Sequence, residues 1–247
     1  MAEYKSPLKK LGEFERILRH YNPSLEILDL LRDVQFVLLA APTAAGRNTI
    51  IKNLIMTGKY YYVVSDTTRK PRINNGIPEK NGYEYWFKSE DEFLNSLKNG
   101  AYIEAAIVHN QQVSGISLNE MRKAADSGKI VITDIDINGC DSIKSYSDST
   151  IPIFILPPDF KEWMHRLDTR GVMDRAEKRR RLNSAAEEIQ LAIERNYFKF
   201  VINWDLRLTI EELHEHITSG DFGVAEQAAA HSHAKQVLAD LAVYLNS

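Results

Sequence analysis

The sequence predicts an α/β protein, a parallel sheet with helices on both faces. Three observations predict it. Strand-like runs alternate with helix-like runs along the chain. The runs at 34–40, 130–135 and Ile151–Leu156 are almost continuously apolar, as strands covered on both faces are. The first of them leads straight into a glycine-bearing loop and then a helix.

Composition sets outer bounds. The 247 residues are 44% apolar and 26% charged, enough to build a large core. A net charge of −3 provides no overall pull toward nucleic acid or an anionic membrane, so neither is expected as a partner. Cys140 is the one cysteine, which excludes an intrachain disulfide and a Cys-based metal site. The mixed-charge N-terminus lacks the apolar stretch of a signal peptide, and no apolar run approaches the ~20 residues of a membrane span. The default location is the cytoplasm.

The elements follow in order. Ser6-Pro7 reads as a helix start, with Leu8, Leu11, Phe14, Ile17 and Leu18 on one face. Asn22-Pro23 repeats the signal ahead of Leu25, Ile27, Leu28 and Leu31. After the first strand and its loop, 49–56 is a helix and 60–64 a strand. Residues 67–80 read as exposed loop, and 83–87 alternate like a short strand. Glu90–Lys98 is a helix ended by Gly100, 101–108 a strand, and 118–127 a helix closed by Gly128. Pro157-Pro158 stops the strand at Ile151–Leu156. Phe160–Thr169 is a helix, 170–174 a hinge and 175–195 a long polar helix. A last strand at 198–203 and a helix at 209–218 complete the core. Residues 219–223 read as a linker, and 225–245 as an Ala-rich helix. The division expected is an N-terminal helical extension (1–33), a central domain (34–218) and a C-terminal extension (219–247).

Chemistry begins at the first strand's end, with Ala41, Pro42, Thr43, Ala44, Ala45, Gly46, Arg47, Asn48 and Thr49. The template is G-x-x-x-x-G-K-[ST] between strand and helix, a loop whose backbone N–H groups hold phosphate. Spacing and context match. Gly46 is kept, but Ala41 replaces the first glycine, Arg47 the lysine and Asn48 the metal-binding hydroxyl. Arginine keeps the charge and can grip phosphate through two donors, with a larger planar head. An amide oxygen can bind a hard cation. Taken alone, a loop so altered is better read as an ordinary strand-to-helix turn.

The next segment, Ser65-Asp66-Thr67-Thr68-Arg69-Lys70-Pro71-Arg72, groups three hydroxyls with two arginines. Arginine suits bidentate phosphate recognition. An ordered series follows: Gly82-Tyr83-Glu84-Tyr85-Trp86-Phe87, Tyr102-Ile103-Glu104-Ala105-Ala106 and Asp134-Ile135-Asp136-Ile137-Asn138-Gly139. Then come Phe154-Ile155-Leu156-Pro157-Pro158, Arg166-Leu167-Asp168-Thr169-Arg170-Gly171, Arg181-Leu182 and Val201-Ile202-Asn203. In this series the chain resembles the guanylate kinase family, from about residue 36 to 217.

The resemblance implies a P-loop NTPase-type core with a small GMP-binding subdomain (about 65–117) and a lid (about 166–182). It implies transfer of the ATP γ-phosphoryl group to GMP or dGMP, with Mg²⁺. Ser65, Arg69, Arg72 and Tyr85 would hold the GMP phosphate. Glu104 and Asp136 would recognise guanine, a base with two adjacent donors for a carboxylate. Arg47, Arg166, Arg170 and Arg181 would neutralise the transferring phosphate, since phosphoryl transfer needs charge compensation above all. Asn203 would line the adenine pocket, and Asn48 and Asp134 would lie at the metal.

One departure lies outside the phosphate loop. Where the family has N-Y-Y-G-[ST], the chain has Asn110-Gln111-Gln112-Val113-Ser114-Gly115-Ile116-Ser117. The phosphate-touching tyrosine is missing, and the guanine-contacting hydroxyl is either Ser114 or Ser117. The changes at Arg47 and Asn48 leave a second reading beside the kinase, a non-catalytic module of the same fold binding a nucleotide or a phosphorylated partner. A third keeps the reaction and changes the nucleotide. The terminal helices offer surfaces for a protein partner or a second copy, though an amphipathic helix ordinarily covers its own core.

Overall fold

The computed structural model describes residues 8–74, 76–169 and 173–246. Ser6-Pro7 and the hinge residues 170–172 fall outside these. In chain order the helices and strands begin with α1 (Leu11–Leu18), α2 (Leu25–Asp33), β1 (Phe36–Ala40), α3 (Arg47–Met56) and β2 (Tyr60–Tyr62). Next come β3 (Asp66–Thr67), β4 (Ile73–Asn74), β5 (Ile77–Pro78), β6 (Trp86–Phe87), α4 (Glu90–Lys98), β7 (Tyr102–Val108) and β8 (Gln112–Ser117). Then follow α5 (Leu118–Asp126), β9 (Ile130–Asp134), α6 (Ile137–Tyr146), β10 (Ile151–Leu156), α7 (Phe160–Thr169) and α8 (Arg175–Glu194). The series ends with β11 (Lys199–Ile202), α9 (Leu206–Ser219) and α10 (Val224–Asn246).

These elements form two compact units. One takes the described residues up to Gln35 with Tyr61–Val131 and Ser142–Ser149. The other takes Phe36–Tyr60, Ile132–Asp141 and Thr150 onward. The five-stranded sheet has the order β11-β10-β1-β9-β2. β1 and β11 both pair with β10 in parallel, as the apolar runs predict. Phe36, Val37, Leu38 and Leu39 are wholly buried, which fits a strand covered on both faces.

The edge strand β11 is covered by the C-terminal helix. Gln227 on α10 donates from its amide to the carbonyl of Phe200 (3.0 Å) and accepts from the Phe200 N–H (2.8 Å). One side chain thus satisfies both backbone groups that an edge leaves open. Ala230, Ala234, Val237 and Leu241 form the buried side of α10, which packs on α7, α8 and β11. In the other unit, α1 buries Phe14 against Phe93 and Tyr102, the latter two rings being stacked with centroids 4.2 Å apart. Both terminal helices therefore cover core.

Local signals place the helices well. Ser89 and Glu92 form a reciprocal capping box that starts α4. Asp174 and Asp205 accept backbone N–H bonds at the starts of α8 and α9. Short strands diverge from expectation. Residues 67–80 are not all loop, because β4 and β5 pair as an antiparallel hairpin. Only Trp86 and Phe87 of 83–87 are strand. Residues 112–117, read as part of an altered loop, are β8, paired antiparallel to β7 and β3. The turn before it carries positive φ at His109 (52°) and Asn110 (56°). This unit's sheet has the order β6-β3-β8-β7. Helix α6 is also unanticipated, and the Asp136 carboxylate caps it by accepting from Gly139 N–H at 2.7 Å.

Candidate active site

The loop 41–46, expected to bind phosphate, joins β1 to α3. Ala41 is not among the residues with positive φ, so losing a glycine there carries no backbone cost. Positive φ falls at Ala44 (65°), where it is strained, and at Gly46 (102°), where glycine adopts it freely. Gly46 is needed twice over: a Cβ there would lie 2.3 Å from Asn203 Nδ2.

Two long-range side chains hold the loop backbone. The Trp163 indole, fully buried on α7, donates to the Thr43 carbonyl at 2.7 Å. Asn203, 4% exposed at the end of β11, donates to the Ala45 carbonyl at 2.9 Å. Asn203 Oδ1 is buried without a hydrogen-bond partner. Arg166 on α7 reaches the Asn203 carbonyl at 3.4 Å and pairs with Glu162 at 2.8 Å.

Arg47 opens α3 and pairs with Asp134 at 2.8 Å. Its guanidinium also approaches the Ile135 carbonyl and the Asn48 amide oxygen, each at 3.4 Å. Glu188, half-buried on α8, belongs to the same charge group. Burial pushes its carboxyl up to about 7, Arg47 opposes the shift, and Asp136 and Glu187 add to it. Arg181 is bound to Glu177 on the exposed face of α8 at 2.8 Å. Arg170 falls outside the described residues.

The residues expected to hold GMP lie in the other unit, apart from Asp136. Of these, Arg69 and Tyr85 stand together. The Arg69 fork meets Glu79 at 2.5 and 2.8 Å, with side-chain exposures of 10% and 7%. Glu79 also accepts the Arg72 N–H at 2.8 Å, and the Tyr85 ring lies 4.7 Å from the Arg69 guanidinium carbon. The arginine holds the Glu79 carboxyl below its ordinary value. Arg72 itself is exposed and Ser65 is half-buried. Glu104 is half-buried on β7, in register with Ile116.

Of the alternative hydroxyls, Ser117 is buried and donates to Asp66 at 3.3 Å, while Ser114 donates to Thr67 at 3.0 Å. Burial raises the Asp66 carboxyl, which the Tyr102 hydroxyl also bonds at 2.9 Å.

Sequence reasoning passed over Glu79, Trp163 and Glu188. Nothing local marks Trp163, whose partner Thr43 is 120 residues away, and Glu79 reaches Arg69 across a hairpin that the sequence reads as loop. Glu188 sits seven residues past Arg181, a helical spacing that could have directed attention to it.

The guanylate kinase family model matches residues 33–220. A guanylate kinase of Campylobacter jejuni is 33% identical over 180 residues, covering 72% of this chain and 84% of that one. One of Rickettsia prowazekii is 33% identical over 184 residues, covering 74% and 90%. The crystal structure of guanylate kinase from Anaplasma phagocytophilum superposes with a TM-score of 0.56 at 26% identity, covering 78% of this chain and 89% of the other. With its matching blocks in one continuous span over most of its length, this chain belongs to the guanylate kinase family.

Proposed function

We propose that this protein is a phosphotransferase that moves the γ-phosphoryl group of ATP to GMP or dGMP. The observation that carries the reading is the phosphate loop. Its carbonyls at Thr43 and Ala45 are held from outside, its Gly46 takes the left-handed conformation, and Arg47 stands at the loop cation's position. A loop held this way has its N–H groups fixed before phosphate arrives, and pre-organised donors are what phosphoryl transfer rewards.

In this reading Arg47 binds the phosphates that ATP presents to the loop, and Asn203 lines the adenine pocket. Arg166, Arg170 and Arg181 add charge as the lid. Arg69, Arg72, Ser65 and Tyr85 hold the GMP phosphate, with Arg69 kept in one orientation by Glu79 and Tyr85. Glu104, Asp136 and Ser114 or Ser117 read guanine. Asp134 and the Asn48 amide oxygen would offer two oxygen ligands of the kind Mg²⁺ prefers, in exchange for the contacts both now make with Arg47. Mg²⁺ bound with ATP would lower the charge on the phosphates. No helix among the described residues is long and apolar enough to cross a membrane, and we place the enzyme in the cytoplasm with its nucleotides.

The test is a coupled assay with ATP, Mg²⁺ and GMP. ADP formation is expected, falling about 100-fold or more in Arg47→Ala while melting temperature stays near wild type. Binding of GMP without ADP formation above background would show a module that binds and does not transfer.

A further inference from the structure

We infer that Trp204 and His233 form a stacking platform for the purine base of the phosphate donor, so that the C-terminal helix supplies part of the nucleotide site. The proposal rests on the nucleotide reading above and adds residues to it. Trp204 follows Asn203 directly, beyond the carboxyl end of β11, and is 62% exposed. This exposed indole follows directly on a buried amide with an unsatisfied oxygen, Asn203 Oδ1. That oxygen accepts hydrogen bonds, and the exocyclic amine of a purine can donate one.

The platform is built from two elements. The His233 ring on α10 lies 5.6 Å from the Trp204 ring, tilted by 52°. His233 is itself fixed by donating from Nε2 to the Pro157 carbonyl at 3.0 Å, just past the end of β10. Both rings therefore sit outside the carboxyl ends of neighbouring parallel strands, where open α/β sheets bind their ligands. Asn203 bonds the loop carbonyl of Ala45, so a base at Asn203 continues from phosphates on the loop. His233 lies beyond residue 220, where the family match ends.

Calorimetric titration of ADP and of inorganic pyrophosphate, both with Mg²⁺, tests this. Pyrophosphate has no base and reports on the phosphate loop alone. Trp204→Ala should weaken ADP by about 5- to 150-fold, the range for loss of one base–aromatic stack, and leave pyrophosphate within about twofold. Trp204→Phe should keep most of the ADP affinity, and His233→Ala should lose about threefold. Unchanged ADP binding in Trp204→Ala overturns the platform, and so does an equal loss for ADP and pyrophosphate. If the wild-type protein binds pyrophosphate but gains nothing from ADP, the adenine pocket itself is refuted.

Discussion

Replacing Glu188 with glutamine should stabilise the protein at alkaline pH and not at acidic pH. The carboxyl is raised from its ordinary 4.5 to about 7, chiefly by burial. The folded protein therefore holds this proton more tightly than the unfolded chain. The stabilisation from that proton is complete below about pH 4.5 and is lost as pH rises through 7. At about 1.4 kcal/mol per pH unit the full shift corresponds to about 3 kcal/mol. Because Glu188 is only half-buried, solvent screening brings the expected figure to about 1.5–2 kcal/mol. A glutamine amide has no such proton to lose, so the stability difference between Glu188→Gln and wild type should grow by that amount between about pH 5 and pH 8. Urea unfolding of both proteins across this range measures it, since other titrating groups cancel in the difference. A gap that stays flat within about 0.5 kcal/mol, or shrinks as pH rises, refutes the assignment of Glu188 as an acid whose proton is held by partial burial.

Three further outcomes follow from the geometry. Glu79→Gln removes the partner of a nearly buried arginine; it should raise the KM for GMP at least tenfold with the KM for ATP unchanged, and equal changes in both would argue against a role confined to Arg69. Gly46→Ala meets both the +102° φ and the 2.3 Å approach to Asn203, so a loss of about 2–4 kcal/mol by chemical unfolding is expected; a cost below about 1 kcal/mol would contradict the loop conformation. Ala44→Gly relieves a non-glycine residue at φ 65°, and thermal unfolding should show a gain of about 0.5–1 kcal/mol, whereas destabilisation would mean that Ala44 is not strained.

The parts of the fold that were readable were those with local causes. Phe160–Thr169 and Glu90–Lys98 carry their caps and periodicity within a short stretch of chain, and both helices lie where expected. Ile151–Leu156 was readable because burial on both faces demands a continuous apolar run. Helix α6 was missed because its capping residue, Asp136, also fits a ligand-binding pattern. Residues 112–117 were missed because the mixed series Gln-Val-Ser-Gly-Ile-Ser has no clean alternation, and pairing with β7 and β3 makes it a strand.

The same division runs through the site. By itself the sequence determined the family, through ordered blocks of charged and glycine residues, and with it the candidate groups from Ser65 to Arg72, Glu104, Asp134 and Asp136. It also posed the question of whether a loop with Ala41, Arg47 and Asn48 can keep its shape. Only the tertiary structure shows the loop's φ values and anchors, because both are set by distant contacts. Trp163 and Asn203 reach the loop from 120 and 158 residues away. Glu79 meets Arg69 only once a hairpin has brought it back along the chain. Charges and hydroxyls can be counted along a chain, but which carbonyl a buried indole bonds is decided by packing.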